Sequence, residues 1–147
     1  MLSNTCKYGI RAVIYLALND GENRKVGIKQ ISKDLAIPTP FLGKILQNLA
    51  KHKLLTSTKG PHGGFGLAKK ASEITLLDII EIIDGLDLFT ECLIGLRSCS
   101  SQSHEDVQCP IHKKYTPISK QLYQLFKNET IEGLASEIEA SGGSIGL

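Results

Sequence analysis

Apolar positions recur with helical spacing in the first third of the chain. Residues 5–19 show this spacing over four turns, which predicts an amphipathic helix with Thr5 as its N-cap. Residues 28–35 repeat it over a shorter length, and a turn follows. A third helix is predicted to start with Thr39 as N-cap and Pro40 at its first position, where a missing N–H costs nothing. Its predicted buried face consists of Phe41, Leu42, Ile45, Leu46 and Leu49.

The pattern then changes to two short runs typical of a hairpin. Residues 54–58 and 65–68 read as strands, and a glycine-rich turn joins them. Thr75, with Asp78 three residues later, carries the signature of a capping box, so a fourth helix is predicted to run to about Asp84.

The remaining chain is predicted to hold a loop and a long helix. Residues 92–112 are loop-like, and Thr116-Pro117 is predicted to start the helix. A short helix is expected over residues 130–139. Apolar residues spaced three, four and three apart indicate a short coiled-coil-like seam on the long helix. The seam consists of Tyr115, Ile118, Leu122 and Leu125.

These elements predict a mainly α fold with a small β-wing. Residues 1–85 are expected to form a winged helix-turn-helix DNA-binding domain. Residues 86–140 would hold the cysteine loop and a long C-terminal dimerisation helix, and residues 141–147 a flexible tail.

Charge is divided unevenly along the chain, although the net charge is only +2. Residues 1–70 contain 12 Lys/Arg and 3 Asp/Glu, a net charge of +9. Residues 71–147 contain 5 Lys/Arg and 12 Asp/Glu, a net charge of −7. The basic half is therefore the part expected to meet a polyanion, and double-stranded DNA is the predicted partner.

The third helix and the hairpin supply the candidate DNA-reading groups. If the apolar face of the helix is buried, its polar side chains and Gly43 turn outward, where Gln and Asn can pair with adenine and Lys can reach guanine or phosphate. Gly43 would then allow close approach to the duplex, and the hairpin tip would lie along phosphates or enter the minor groove. The candidate DNA-binding residues are Thr39, Pro40, Lys44, Gln47, Asn48, Lys51, Lys59 and His62.

A second constellation has the chemistry of a metal site. Cys92, Cys99, Cys109 and His112 form C-x6-C-x9-C-P-x-H, and thiolates suit iron–sulfur clusters or zinc. The long gaps favour a segment wrapped around a cluster over a structural zinc site, which usually uses tight pairs. A thiol-only role remains open at this point. Cys6 stands apart in the first helix and is expected to be a small core residue, with a role as fourth ligand as the alternative.

Other classes of protein find less support in the sequence. No nucleophile–base pair, phosphate loop or C-x-x-C motif indicates an enzyme, so a cysteine-based redox enzyme is the weaker alternative. The apolar run over residues 10–18 is too short to span a bilayer and is interrupted by Arg11. The N-terminal residues do not resemble a secretory signal, so a cytoplasmic protein without membrane association is expected. In that compartment disulfides are rare, and clustered cysteines more often bind metal or act in redox chemistry.

Taken together, the pattern resembles the Rrf-two (Rrf2) family of bacterial winged helix-turn-helix regulators, which includes IscR-like, NsrR-like and CymR-like proteins. The likeness spans roughly residues 1–135. It is carried by the three-cysteine segment and by YGIRA at 8–12, IPTPFL at 37–42, KGPHGGF at 59–65 and ITLLDII at 74–80.

The resemblance implies a homodimer, joined through the long C-terminal helix, that binds a partly palindromic operator, with repression the expected mode. It also implies a two-iron or four-iron cluster whose state controls DNA affinity in response to iron supply, oxidants or nitric oxide. The fourth ligand varies in the family. Some members use a histidine shortly after the third cysteine, which His112 matches, whereas others use an acidic residue in the first helix of the partner, about where Lys7 stands here beside Cys6. The nine-residue second gap is longer than the usual spacing.

Overall fold

The computed structural model describes residues 1–19, 24–91, 94 and 110–142. A 3₁₀ turn over Ala71–Glu73 follows the hairpin. In chain order the regular elements are α1 (Asn4–Leu18), α2 (Ile28–Leu35), α3 (Thr39–Lys51), β1 (Leu55–Thr58), β2 (Gly64–Leu67), α4 (Leu76–Ile83), α5 (Asp87–Thr90), α6 (Pro110–Asn128) and α7 (Ile131–Ala140).

Two predicted N-caps are wrong. The α1 helix begins one residue earlier than expected, because the Ser3 hydroxyl accepts a hydrogen bond from the Cys6 amide at 3.0 Å and Thr5 lies inside the helix. Thr39 is already helical, and Pro38 occupies the N-cap position of α3, where its carbonyl accepts the first helical hydrogen bond. The Thr39 hydroxyl instead donates to Ser32 Oγ at 2.9 Å, which ties the start of α3 to α2.

The core is aliphatic and lies around α1, which packs against α2, α3, α4, α7 and β2. Phe41 was predicted to belong to this core, but 38% of its surface is exposed. It packs edge-on against Tyr8 at a ring-centroid distance of 5.7 Å, so it covers the margin between α3 and α1. The residues without measurable exposure include Ala12, Val13, Ile31, Leu42, Leu46, Leu49, Ile74, Ile79 and Ile131.

The hairpin forms as predicted, except that β1 starts one residue later and β2 lies one residue earlier than expected. Leu55 pairs with Leu67 and Thr58 with Gly64 in an antiparallel register, and Leu55 and Phe65 face the core. Val26 bridges to Phe65 on the other side of β2 through two backbone hydrogen bonds of 2.9 Å each. A Cβ on Gly64 would lie 2.4 Å from the Val26 carbonyl oxygen, so this close backbone approach requires glycine.

The capping box of α4 is confirmed. The Thr75 hydroxyl accepts from the Asp78 amide at 3.2 Å, and the Asp78 carboxylate accepts from the Thr75 amide at 2.8 Å. The helix ends at Ile83, and Gly85 follows in the left-handed region with φ of +77°.

The long C-terminal helix starts earlier than predicted. Residues 110–112 were expected in a loop and are helical, so Pro117 lies inside α6 rather than at its start. Pro110 occupies the first position of α6, where the missing N–H of proline breaks no helical hydrogen bond. Pro117 lies inside the helix, where its missing N–H removes one helical hydrogen bond at an exposed position. The predicted loop over 92–109 lies outside the described residues apart from residue 94, and the predicted tail is described only at 141 and 142.

The C-terminal helices return to the N-terminal core. The Ile131 amide donates to the Ile74 carbonyl at 2.8 Å, and the Ile131 side chain is buried in the same core as residues of α1 and α3. The described residues on the two sides of the predicted boundary at residue 85 therefore share one core. Among the described helices, none has the length and apolar character needed to cross a bilayer.

Candidate nucleic-acid interface and metal ligands

The α3 helix presents a polar face on the side opposite its buried face. Leu42, Ile45, Leu46 and Leu49 are at most 3% exposed, which fixes the rotation of the helix. The exposed side chains on its outer face are those of Pro40, Lys44, Gln47 and Lys51.

Two further candidates on α3 are partly engaged inside the protein. The Asn48 side-chain amide donates to the Ile82 carbonyl of α4 at 3.5 Å and is half-buried. Thr39 is half-buried through its bond to Ser32. The outermost polar groups of the helix are therefore those of Lys44, Gln47 and Lys51.

Gly43 has a structural role that the sequence did not predict. It is half-buried, and a Cβ at this position would lie 3.1 Å from Ile28 Cδ1 at the start of α2. The missing side chain therefore permits the close packing of α2 on α3.

The tip of the hairpin carries the two candidate DNA-binding residues of the wing. A turn closed by a 3.0 Å hydrogen bond from the Gly63 amide to the Gly60 carbonyl connects the strands, and Gly60 has φ of +108°. Lys59 and His62 are exposed on this turn.

The basic half contains one acidic side chain within its described part, that of Asp34. Its carboxylate accepts hydrogen bonds from the Tyr15 hydroxyl at 2.5 Å and from the Gln30 amide at 2.8 Å. The Tyr15 bond, followed by the Gln30 bond, lowers the pKa of Asp34 below its usual value. This charge lies on α2, so α3 and the described hairpin residues carry no carboxylate.

The three clustered cysteines, Cys92, Cys99 and Cys109, lie outside the described residues. His112 lies in the first turn of α6, and within the described ranges no group of three possible metal ligands occurs. The helices that flank the segment are joined to each other. The Tyr115 hydroxyl donates to the Leu88 carbonyl at 2.8 Å, and the Ser119 hydroxyl donates to the Phe89 carbonyl at 3.0 Å.

Aromatic packing reinforces this junction between α5 and α6. The Phe89 ring lies edge-on to Tyr123 and Phe126, at centroid distances of 5.3 and 6.2 Å. Ser119 is the one buried polar side chain in the described core. The sequence analysis did not predict the role of Ser119 and assigned Tyr115 to the dimer seam. The spacing of four residues between Tyr115 and Ser119 places both on one face of the helix and could have indicated their shared contact with α5.

Cys6 is a core residue, as expected. Its side chain has no exposed surface, and burial raises the pKa of its thiol to about 12, with the nearby Asp84 carboxylate adding to the effect. Asp84 is held in place by hydrogen bonds from the amide and hydroxyl of Ser3. A buried neutral thiol is a poor metal ligand, because binding requires the thiolate.

Comparison with known proteins places the chain among regulators. The family model for Rrf2, described as "Iron-dependent Transcriptional regulator", matches residues 2–137. A protein of Aquifex aeolicus named as an HTH-type transcriptional regulator is 38% identical over 134 residues, which cover 91% of this chain and 90% of that protein. The HTH-type transcriptional regulator IscR of Klebsiella pneumoniae is 28% identical over 138 residues, which cover 94% of this chain and 81% of IscR.

Solved structures confirm the predicted fold class. CymR, the global cysteine regulator of B. subtilis, superposes with a TM-score of 0.77 at 22% identity and covers 93% of this chain and 97% of CymR. T. potens IscR also gives a TM-score of 0.77, at 20% identity, with 99% of this chain and 93% of IscR covered. At these identities the likeness establishes the fold alone.

The burial of Cys6 predicts a thiol that is protected from alkylation. In a variant in which Cys92, Cys99 and Cys109 are replaced by Ser, Cys6 of the native protein should react with iodoacetamide at pH 8 at least ~100-fold more slowly than in urea. The raised pKa also means that stability is present below pH ~8.5 and is lost as pH rises toward about 12, because only the unfolded thiol ionises readily there. Urea unfolding of the same variant with and without Cys6→Ala measures that loss. Equal alkylation rates in the native and unfolded states would contradict the assignment.

Proposed function

Because the chain belongs to the Rrf2 family of transcriptional regulators, we propose that it binds an operator in double-stranded DNA as a homodimer and represses transcription under the control of an iron–sulfur cluster. The matched relatives are regulators, and the protein is not an enzyme. We place its action in the bacterial cytoplasm.

The observation that carries the DNA-binding proposal is the exposed polar face of α3, together with the exposed Lys59 and His62 at the tip of the hairpin that packs on α3 through β1. Lys44, Gln47 and Lys51 are exposed on a helix of 13 residues, which is long enough to lie in a major groove. In the proposed complex, Lys59 and His62 of the wing would contact the flanking backbone or the minor groove. We assign base reading to Gln47 and Lys44, with support from Asn48, and backbone contacts to Thr39, Pro40, Lys51 and the wing.

Dimerisation is supported by apolar surface on α6. Ile118 is 59% exposed and Leu125 is 51% exposed, and both lie on the same side of the helix with the half-buried Leu122 between them. Tyr115, also assigned to this seam, faces α5 instead. Pairing two copies through Ile118, Leu122 and Leu125 would remove this apolar surface from water and set two α3 helices against two half-sites.

The donor set fits an iron–sulfur cluster. Three thiolates from Cys92, Cys99 and Cys109 with the imidazole of His112 match the soft and borderline ligands that such clusters accept, with zinc as the alternative metal. The burial of Cys6 argues against it as the fourth ligand within one protomer. When bound, the cluster supplies a group that is sensitive to oxidants and to competing ligands.

A series of packed helices, α5, α6 and α4, lies between the cysteine segment and α3. The α5–α6 junction flanks the segment, α6 packs on α4, and α4 packs on α3. At the last step Asn48 donates to the Ile82 carbonyl. A shift of α6 on loss of the cluster would therefore reach a side chain next to the base-reading residues.

Gln47→Ala should reduce discrimination between operator and random DNA. The operator is obtained by selecting duplexes from a random library with the wild-type protein, and affinities are measured by fluorescence anisotropy. Losing a paired base contact should cost on the order of 1–3 kcal/mol on the operator, with little change on random duplex. Lys59→Ala is the comparison, and it should weaken binding to both duplexes similarly. Equal losses on both duplexes for Gln47→Ala would remove it from base reading.

Ile118→Asp should convert the dimer to a monomer. The residue is exposed in the protomer, so the change spares the fold while placing a charge in the proposed interface. Sedimentation velocity should show a monomer, and binding to a two-half-site operator should collapse. Gln124→Asp, on another exposed face of α6, is the matched control and should leave the dimer intact. A dimeric Ile118→Asp protein would refute the seam.

Anaerobically purified protein should contain iron and sulfide, and the ligand variants should separate three outcomes. Cys99→Ser should abolish the visible absorption of the cluster. His112→Ala should shift the absorption spectrum and the reduction potential, because imidazole coordination raises that potential. Cys6→Ser should leave both nearly unchanged. If Cys6→Ser abolished the cluster and His112→Ala did not, the ligand set would be four cysteines. Stoichiometric zinc without iron would replace the sensor with a structural metal site.

A further inference from the structure

Strand β2 of the wing has no side chains on its outer face. The bridge between Val26 and Phe65 places the segment before α2 beside β2, so that β2 lies between this segment and β1. On the face turned away from the core, both residues of β2 are glycines, Gly64 and Gly66. Side chains from the two neighbouring segments can therefore lie across β2 without obstruction.

Lys25 uses this space. The antiparallel bridge at Val26 puts Lys25 opposite Gly66, and Lys25 Cγ lies 3.6 Å from the position that a Cβ on Gly66 would occupy. The lysine side chain crosses β2, and its ammonium donates a hydrogen bond to the Thr58 hydroxyl at the end of β1. Thr58 is followed directly by Lys59, the first residue of the wing tip.

We propose that Lys25 is a positioning residue of the DNA-binding wing, which fixes the tip by fastening the outer end of β1 to the segment before α2. The effect of Lys25 on affinity rests on the proposed function, because it requires that the wing contacts DNA. The inner strand β2 is anchored by the two backbone bonds to Val26, whereas Thr58 and the tip that follows it are exposed. Two strands of four residues are only marginally stable as an isolated hairpin, so an added bond at the open end affects its order.

The contribution to DNA binding follows from preorganisation. A tip that is already ordered loses less conformational freedom when Lys59 and His62 engage the duplex. Lys25 would then raise affinity without touching a base or a phosphate. The competing role is a direct phosphate contact by the Lys25 ammonium, and it predicts different results for substitutions at Thr58.

Four variants separate these roles. Lys25→Met keeps the aliphatic stem and removes the donor, Thr58→Val removes the acceptor at nearly constant shape, and Thr58→Ser restores an acceptor. Lys69→Met removes the same charge from an exposed lysine just beyond β2 and is the matched control.

The first measurement needs no DNA. Hydrogen exchange of the Gly63 amide, which donates to Gly60 in the tip, is followed by NMR in the free protein. Exchange should accelerate in Lys25→Met and in Thr58→Val, return toward wild type in Thr58→Ser, and stay unchanged in Lys69→Met. Unchanged exchange in both of the first two variants would overturn the proposal.

The second measurement is affinity for the selected operator as a function of salt. Lys25→Met and Thr58→Val should each weaken binding roughly three- to tenfold, and the double variant should be no weaker than either single one, because both remove the same bond. The salt slope should remain near wild type. A neutral Thr58→Val, combined with a Lys25→Met slope reduced by about one ion, would identify a phosphate contact and reject positioning.

Failure of the proposed function gives a different result from failure of this inference. If the wild-type protein selects no duplex, DNA binding fails while the exchange measurement still decides whether Lys25 orders the tip. If the wild type selects an operator and the Lys25 and Thr58 variants match it in affinity and exchange, only the positioning role is lost.

Discussion

The close packing of α1 against the surrounding elements is the constraint on which the remaining structure depends. Its residues Ala12, Val13 and Leu16 are almost fully buried, and α2, α3, α4, α7 and β2 all contact the helix. At Gly9 a Cβ would approach Ile83 Cδ1 to 2.4 Å and Ile45 Cγ2 to 3.4 Å, so α1 lies very near both α4 and α3. Protein interiors are close-packed and have low compressibility, so a displacement of one helix is transmitted to the helices packed against it. The orientation of α3 is therefore set by the same helix that receives the C-terminal part of the chain.

The C-terminal helices are also joined to the N-terminal core by backbone hydrogen bonds. The backbone bonds between Ile74 and Ile131 and between Leu76 and Glu129 join α4 to the start of α7, and α7 packs on α1. The long helix α6 is consequently tied to the DNA-binding half through its following helix as well as through α4. In the proposed dimer, such a connection would let an event near α6 change the spacing or tilt of the two α3 helices.

Sequence periodicity predicted the order of the elements because aliphatic side chains dominate the core, and the box at Thr75 and Asp78 could be read directly since both partners are local. Features that depend on distant partners could not be read. Phe41 has a core-like residue type, yet its place was decided by Tyr8, more than thirty residues away. The close packing of Gly43 depends on Ile28 in the preceding helix and gives no local signal. The predicted start of α6 at Thr116-Pro117 is too late, because Tyr115 and Ser119 hold the helix on both sides of Pro117 through bonds to α5.

The junction formed by Tyr115 and Ser119 with α5 has an evolutionary consequence. The helices on either side of the cysteine-bearing segment are held together by contacts that lie outside that segment. Lengthening a chain segment whose ends are fixed by other interactions costs little, about 0.6 kcal/mol for each doubling. A change in the number of residues between Cys99 and Cys109 would therefore leave the contacts of the α5–α6 junction in place. The contacts that hold the frame thus lie apart from the segment that carries the proposed metal ligands, so this segment could change in sequence during evolution while the frame is retained.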